Sequence, residues 1–283
     1  VNFLRKKIVN INGIDVNYVE GGEGQPMLFL HNGGGFWQSW EHQLKHFAED
    51  YHVFGIDWPG FGESELPKGL ISLELLTETL SSFITTLNLE NVILIGNCIG
   101  GSAALKFNME HPEKVKKLLI FNICPGDLIF RLPPIRRFIR YLSRRNISKR
   151  IFASILIFGF TKTPVKWRFP RILFGKKVDR QSNLFLRYVD KFKQGRQTTS
   201  RVNMVFSVHT FNLLEYLGTI KAPEHLLVWG EFNHVTTLQR HGYYHRDLLK
   251  SCQFKIIKNA GHLCMYESPD EVINLIESYI LEN

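Results

Sequence analysis

Two hydrophobic periods take turns along this chain. Short apolar runs at 26–31, 51–57, 115–123, 222–230 and 252–258 have the length and flanking turn residues of buried strands. Between them, 38–49, 72–87, 238–249 and 269–281 carry apolar residues at helical spacing, with Ser72 placed to cap the second of these helices. One further apolar run opens at Val92 and passes through Gly96-Asn97-Cys98-Ile99-Gly100-Gly101 into a helical stretch that ends at His111-Pro112-Glu113. At the front, 1–10 and 14–20 are joined by Asn12-Gly13, the preferred two-residue hairpin turn. Strands alternating with helices predict an α/β fold: a mostly parallel central sheet with helices on both faces.

The alternation lapses between 125 and 221, where several apolar and basic segments of helical period follow one another. The predicted organisation is therefore a core formed by 1–124 and 222–283, with an inserted helical lid over 125–221. Composition leaves this picture unchanged, since 44% hydrophobic and 22% charged residues are ordinary for a globular domain. Cysteines at 98, 124, 252 and 264 form neither a metal-binding spacing nor a dense disulfide framework, which suits a reducing compartment. No metal and no cofactor is expected. The first residues lack a leader-like apolar stretch and no run reaches membrane-spanning length, so a cytoplasmic location is expected. Asn146-Ile147-Ser148 then reads as a chance glycosylation sequon.

Charge does change the picture. The formal balance of +9 would matter little if it were evenly spread, but 128–178 contains no Asp or Glu while Arg and Lys recur from Arg131 to Lys177. A solvated helix face normally mixes both signs. One-sided charge fits an anionic partner: an acidic acyl-carrier protein, the phosphates of coenzyme A or an anionic membrane surface. Nucleic acid fits poorly, because no nucleic-acid-binding motif accompanies the charge.

The candidate chemistry centres on Cys98. A buried cysteine ordinarily behaves as a small hydrophobe. Here it stands at the apex of a strand-to-helix turn, where Gly96, Gly100 and Gly101 relieve a close approach of two backbones. Such a turn aims the N–H of Ile99, at the helix start, toward charge developing on an acyl group carried by Cys98. His31-Asn32-Gly33-Gly34-Gly35 follows the strand at 26–31 and offers a second set of backbone N–H groups.

The order of motifs resembles the α/β-hydrolase superfamily across nearly the whole chain. The matching pieces are the His31–Gly35 loop, Asp57-Trp58-Pro59-Gly60-Phe61-Gly62-Glu63-Ser64, the turn around Cys98, Gly230-Glu231-Phe232-Asn233 and Ala260-Gly261-His262 followed by Glu267 and Pro269. The resemblance implies a triad in the chain order nucleophile, acid, histidine, here Cys98, Asn233 and His262, with an oxyanion hole from the N–H groups of Gly33 and Ile99. Two positions depart from the family: cysteine replaces the usual serine, and Asn233 replaces the usual acid. The departures agree, since a thiolate–imidazolium pair leans less on a carboxylate and an amide suffices to orient the ring. Asp127 is the alternative orienter, Asn122 offers an amide at the end of the preceding strand, and a bare Cys98–His262 dyad also stays open.

The lid then decides what binds. Its segment 151–160 is apolar all round and, with Phe158 and Phe160, is expected to line the substrate pocket beside His31, Asn32, Phe36 and Trp37. The implied activity is acyl hydrolysis or acyl transfer on a small ester or thioester through an acyl-Cys98 intermediate. Non-hydrolytic carbon–carbon or cyclisation chemistry with His262 as base, or a decayed ligand-binding member of the fold, are the competing readings.

Overall fold

The computed structural model describes residues 4–126, 170–175, 181–213, 225–249 and 252–282, together with positions 134, 137, 138, 141 and 179. Eight strands form one sheet: β1 Arg5–Ile11, β2 Ile14–Gly21, β3 Pro26–Leu30, β4 His52–Ile56, β5 Val92–Asn97, β6 Val115–Phe121, β7 His225–Gly230 and β8 Cys252–Ile257. Their spatial order is β1-β2-β4-β3-β5-β6-β7-β8. β1 and β2 join the rest in antiparallel fashion, and every pairing from β4 through β8 is parallel. The hairpin between β1 and β2 turns on Asn12 at φ 51° and Gly13 at φ 80°, the two positive angles its sequence calls for.

The inner strands are apolar on both sides because both faces are covered. On one face α2 Leu73–Thr86 and α3 Ile99–Glu110 pack over Leu28, Leu94 and Ile120. On the other, α1 Glu41–Phe47 and the C-terminal helix Pro269–Leu281 cover Phe29, Ile95 and Phe121. Ser72 caps α2 by accepting from the Leu75 N–H at 3.3 Å. The helix expected over 38–49 divides into a tight turn at Trp37–Trp40 and then α1. That over 238–249 divides into a wide turn at Leu238–Gly242 and a helix Tyr243–Leu248.

The parallel register brings the functional loops to one edge. Leu30 pairs with Gly96 and Asn97 with Phe121, so the chain leaves β3, β5 and β6 side by side. β6 and β7 are hydrogen-bonded neighbours although they end at Phe121 and begin at His225. In the segment between them, α4 Asn183–Lys193 and α5 Gly195–Ser207 lie against the loop that follows β4. The Gly62 carbonyl accepts from Arg196 at 2.9 Å, Gln197 at 2.9 Å and Lys191 at 3.4 Å. Asp127, Phe158 and Phe160, and nearly all of the basic run, lie outside the described residues.

Candidate active site

β5 ends at Asn97 and α3 begins at Ile99, which leaves a single residue to reverse the chain. Cys98 does so at φ 56°, ψ −114°, a region that costs a non-glycine residue about 1–3 kcal/mol. Neighbouring backbone holds it there: its N–H donates to Phe121 O at 2.9 Å and its carbonyl accepts from Ser102 N at 3.0 Å. The glycines are required for space. A Cβ on Gly96 would lie 2.5 Å from the Gly100 carbonyl, and one on Gly100 would lie 2.5 Å from the Leu30 carbonyl.

The Cys98 sulfur is 5% exposed and faces three donors. The Cys124 thiol, the His262 ring and the Gly33 N–H all hydrogen-bond to it, and together they hold its pKa well below the ordinary thiol value against the opposing effect of burial. Cys124 moves the opposite way, because the Cys98 sulfur and burial both favour its protonated form. Between the two, Cys98 is the group that ionises, since it alone meets His262 and Gly33 and stands at the start of α3.

His262 reaches the sulfur from the loop after β8. Its carbonyl is gripped by two amides, Asn97 Nδ2 at 3.1 Å and Asn122 Nδ2 at 3.2 Å. Glu267 braces the same loop, its carboxylate accepting from Gly261 N at 2.9 Å and Gly175 N at 2.6 Å. Burial raises the Glu267 pKa, while those N–H groups and the nearby His262 favour its anion. The ring Nδ1 of His262 is buried and meets no hydrogen-bonding atom among the described residues.

On the other side of the sulfur, the loop after β3 is fixed from behind. His31 Nδ1 donates to Asn32 O at 2.7 Å, and its Nε2 accepts from Trp58 N at 3.0 Å. Burial pushes that ring down to about 4, so it is neutral. Asn32 accepts from the Tyr188 hydroxyl at 3.0 Å, and Arg201 donates to Gly34 O at 3.3 Å. The Gly33 N–H therefore meets Cys98 while the His31 and Asn32 side chains are held within the protein.

Comparison with known proteins identifies the fold family. Residues 25–269 match the family model described as the alpha/beta hydrolase fold. The chain is an α/β hydrolase. It is 27% identical to epoxide hydrolase 4 of Mus musculus over 96% of this chain and 77% of that protein. It is 24% identical to a 2-hydroxy-6-oxo-6-(2'-aminophenyl)hexa-2,4-dienoic acid hydrolase of Metapseudomonas resinovorans, over 97% and 90% of the two chains. Among solved structures, the esterase EaEST from Exiguobacterium antarcticum superposes with a TM-score of 0.77 at 19% identity, covering 98% of this chain and 99% of its own.

In this α/β hydrolase the expected site residues fall into two groups. Cys98, His262, Gly33 and Ile99 come together around one sulfur. Asn233 does not join them in the expected way. Its Nδ2 donates to Asn122 Oδ1 at 2.9 Å and Thr236 Oγ1 at 2.8 Å, and its Oδ1 accepts from Val235 N and Thr236 N. All of its polar capacity goes into its own turn and into Asn122, so no hydrogen bond from Asn233 orients the His262 ring. Asn233 acts at one remove instead, through the Asn122 amide that holds the His262 carbonyl.

Of the expected pocket residues, His31 and Asn32 are fully buried with their polar atoms engaged, so they support the loop from behind and do not open toward a ligand. Phe36 packs against Tyr188 in a tilted arrangement with ring centroids 4.8 Å apart, and the Trp37 N–H donates to Asp57 at 2.8 Å. Phe36 also borders an open cleft of about 510 Å³ between the 57–63 loop and α4, lined by Gln38, Asp57, Glu63 and Arg187 but not by Cys98 or His262. The sequence reading missed Cys124 and Tyr188. For Cys124 a signal existed: it lies just past the strand that follows the Cys98 unit, at the same end of a parallel sheet.

Proposed function

We propose that this α/β hydrolase is an acyl hydrolase or acyltransferase that forms a thioester on Cys98. One observation carries the reading: a sulfur at the apex of a strained turn, with an imidazole and a loop N–H directed at it, contacts that draw its pKa down. Hydrolase relatives over nearly the whole chain support hydrolysis as the broader class of reaction.

The chemistry follows from the arrangement. The thiolate adds to the carbonyl carbon of an ester or thioester, and the carbonyl oxygen becomes an oxyanion between the N–H groups of Gly33 and Ile99. Each donor aimed at that charge is worth about 3 kcal/mol in sites of this kind. His262 gives its proton to the departing alcohol or thiol, and the acyl group remains on sulfur. His262 then takes a proton from water or another acceptor, which attacks the thioester and releases Cys98. A pre-ionised sulfur has no proton to lose during attack, so a ring whose Nδ1 finds no partner among the described residues serves here.

Residues 125–221 act in this reading as a lid whose apolar stretch, with Phe158 and Phe160, receives the acyl chain. Its acid-free basic run receives an acidic carrier protein or the phosphates of coenzyme A, an anionic membrane surface being the alternative. Nucleic acid is not a partner. Four free thiols suit a reducing, cytoplasmic setting; no described helix is long and apolar enough to cross a membrane.

The lack of a partner for His262 Nδ1 among the described residues favours one competing reading, in which the site binds a ligand or uses His262 as base without a covalent acyl step. Intact-protein mass spectrometry after incubation with short acyl thioesters and nitrophenyl esters separates the two. An acyl mass on Cys98, absent in Cys98→Ala, is the expected result. Turnover with no adduct at any time, persisting in Cys98→Ala, would overturn the covalent mechanism.

A further inference from the structure

The mechanism above uses one sulfur, and the structure brings two together. Asn122 turns the chain at φ 46° after β6 and sends it back across the apex. The Cys124 N–H then meets the Cys98 carbonyl at 3.4 Å. One hydroxyl ties the pair: Ser102 Oγ approaches Cys98 O at 3.3 Å and Cys124 O at 3.5 Å. Both cysteines are buried, at 5% and 4% exposure; Cys98 directly follows β5, and Cys124 stands three residues past the end of the neighbouring parallel strand β6. A disulfide needs Cα atoms about 5.5–6 Å apart and converging side chains. Residues joined by a backbone hydrogen bond, with one thiol donating to the other sulfur, are placed for that.

We propose that Cys124 is a resolving thiol for Cys98, the two closing a reversible disulfide when the site meets a peroxide. The inference rests on the reading of Cys98 as a reactive thiolate. In the first step the Cys98 thiolate attacks one oxygen of hydrogen peroxide. The O–O bond breaks, one oxygen stays on sulfur as sulfenic acid, and the other leaves as hydroxide that takes the proton carried by the His262 ring to become water. In the second, the Cys124 sulfur attacks the Cys98 sulfur. The S–S bond forms, the S–O bond breaks, and the hydroxyl leaves as water with the proton that the Cys124 thiol gives up.

The order of events follows from charge. While Cys98 is a thiolate it keeps Cys124 protonated and idle. Once Cys98 is a neutral sulfenic acid the part of that restraint set by its charge is gone and burial alone remains, so Cys124 is freer to react when it is needed. The other cysteines are poorly placed to compete. Cys264 lies beneath Asn122, accepting from its Nδ2 at 3.7 Å, and Cys252 is on the edge strand β8. Without Cys124 the sulfenic acid has no adjacent thiol and proceeds to the sulfinic acid, which thiol reductants do not reverse.

The test uses the full chain titrated with hydrogen peroxide, followed by non-reducing peptide mapping and intact mass. A linked peptide pair containing Cys98 and Cys124, a mass loss of two hydrogens, and complete reversal by dithiothreitol are expected. Cys124→Ser is expected instead to gain two oxygens on Cys98 and not to recover the free thiol. Accumulation of sulfinic Cys98 in the parent chain at the rate seen in Cys124→Ser would overturn the proposal, as would linkage of Cys98 to Cys252 or Cys264. Should Cys124→Ser fail to fold, the linkage map of the parent chain decides alone. The acyl-adduct measurement on untreated protein keeps the two readings apart: a disulfide without an adduct removes the catalytic role and keeps the pair, and an adduct without a disulfide does the reverse.

Discussion

At the scale of single residues, Cys98 is set apart by what its sulfur touches. The other three thiols are all held toward their protonated forms: Cys124 by the Cys98 sulfur, Cys252 by burial, and Cys264 by burial up to about 12. Iodoacetamide at neutral pH is therefore expected to alkylate Cys98 ahead of the rest, read by peptide mass after a brief exposure. Uniform labelling would contradict a depressed thiol. Cys98, His262, Gly33 and Ile99 were legible in the sequence because each occupies a fixed place in a motif whose backbone geometry is dictated by glycines. The role of Asn233 was not. A motif places a residue on a turn, but which way its amide faces depends on competition among neighbours, and Asn122, Thr236 and Val235 claim all of it. Glu267 was visible as part of the histidine motif, yet its work as acceptor for Gly261 and Gly175 depends on a loop far away in the chain.

At the scale of elements, the β5–Cys98–α3 unit works only if α3 starts directly against β3. Gly100→Ala tests this. Its Cβ would meet the Leu30 and His31 carbonyls at 2.5 and 2.8 Å, and both belong to backbone fixed in or beside the sheet. The expected outcome is a loss of about 1–3 kcal/mol or more of stability in urea unfolding, with the oxyanion loop displaced. An unchanged midpoint would mean that α3 can move away from β3. Strand and helix positions were legible because apolar runs and helical stripes are local. The division of the predicted helices at 38–49 and 238–249 was not, because it is set by tertiary packing, as where Gly242 abuts the Trp229 indole.

At the scale of the whole molecule, stability is tied to protons on buried groups other than the reacting sulfur. Burial pushes both His31 and His245 down to about 4. An unfolded chain protonates them near 6.5, so it binds more protons than the folded chain between pH 6.5 and 4, and stability falls as pH drops through that window. Asp57, raised to about 6 by burial, works the other way below pH 6, since there the folded chain holds its proton first. The net slope is thus smaller than two histidines alone would give. His245→Gln is expected to flatten the acid limb by about 1.4 kcal/mol per pH unit between 6.5 and 4, measured as denaturant midpoints. An identical slope in the variant would show that His245 titrates normally.

The sheet order has a consequence for synthesis. The Asn97 amide and the His262 carbonyl are 165 residues apart along the chain and 3.1 Å apart in space. A ribosome exposes the sulfur long before it makes the imidazole that completes the site. During that interval the thiol lacks one of its activating partners, so the emerging polypeptide is spared the full reactivity of its own cysteine until the last strand is in place.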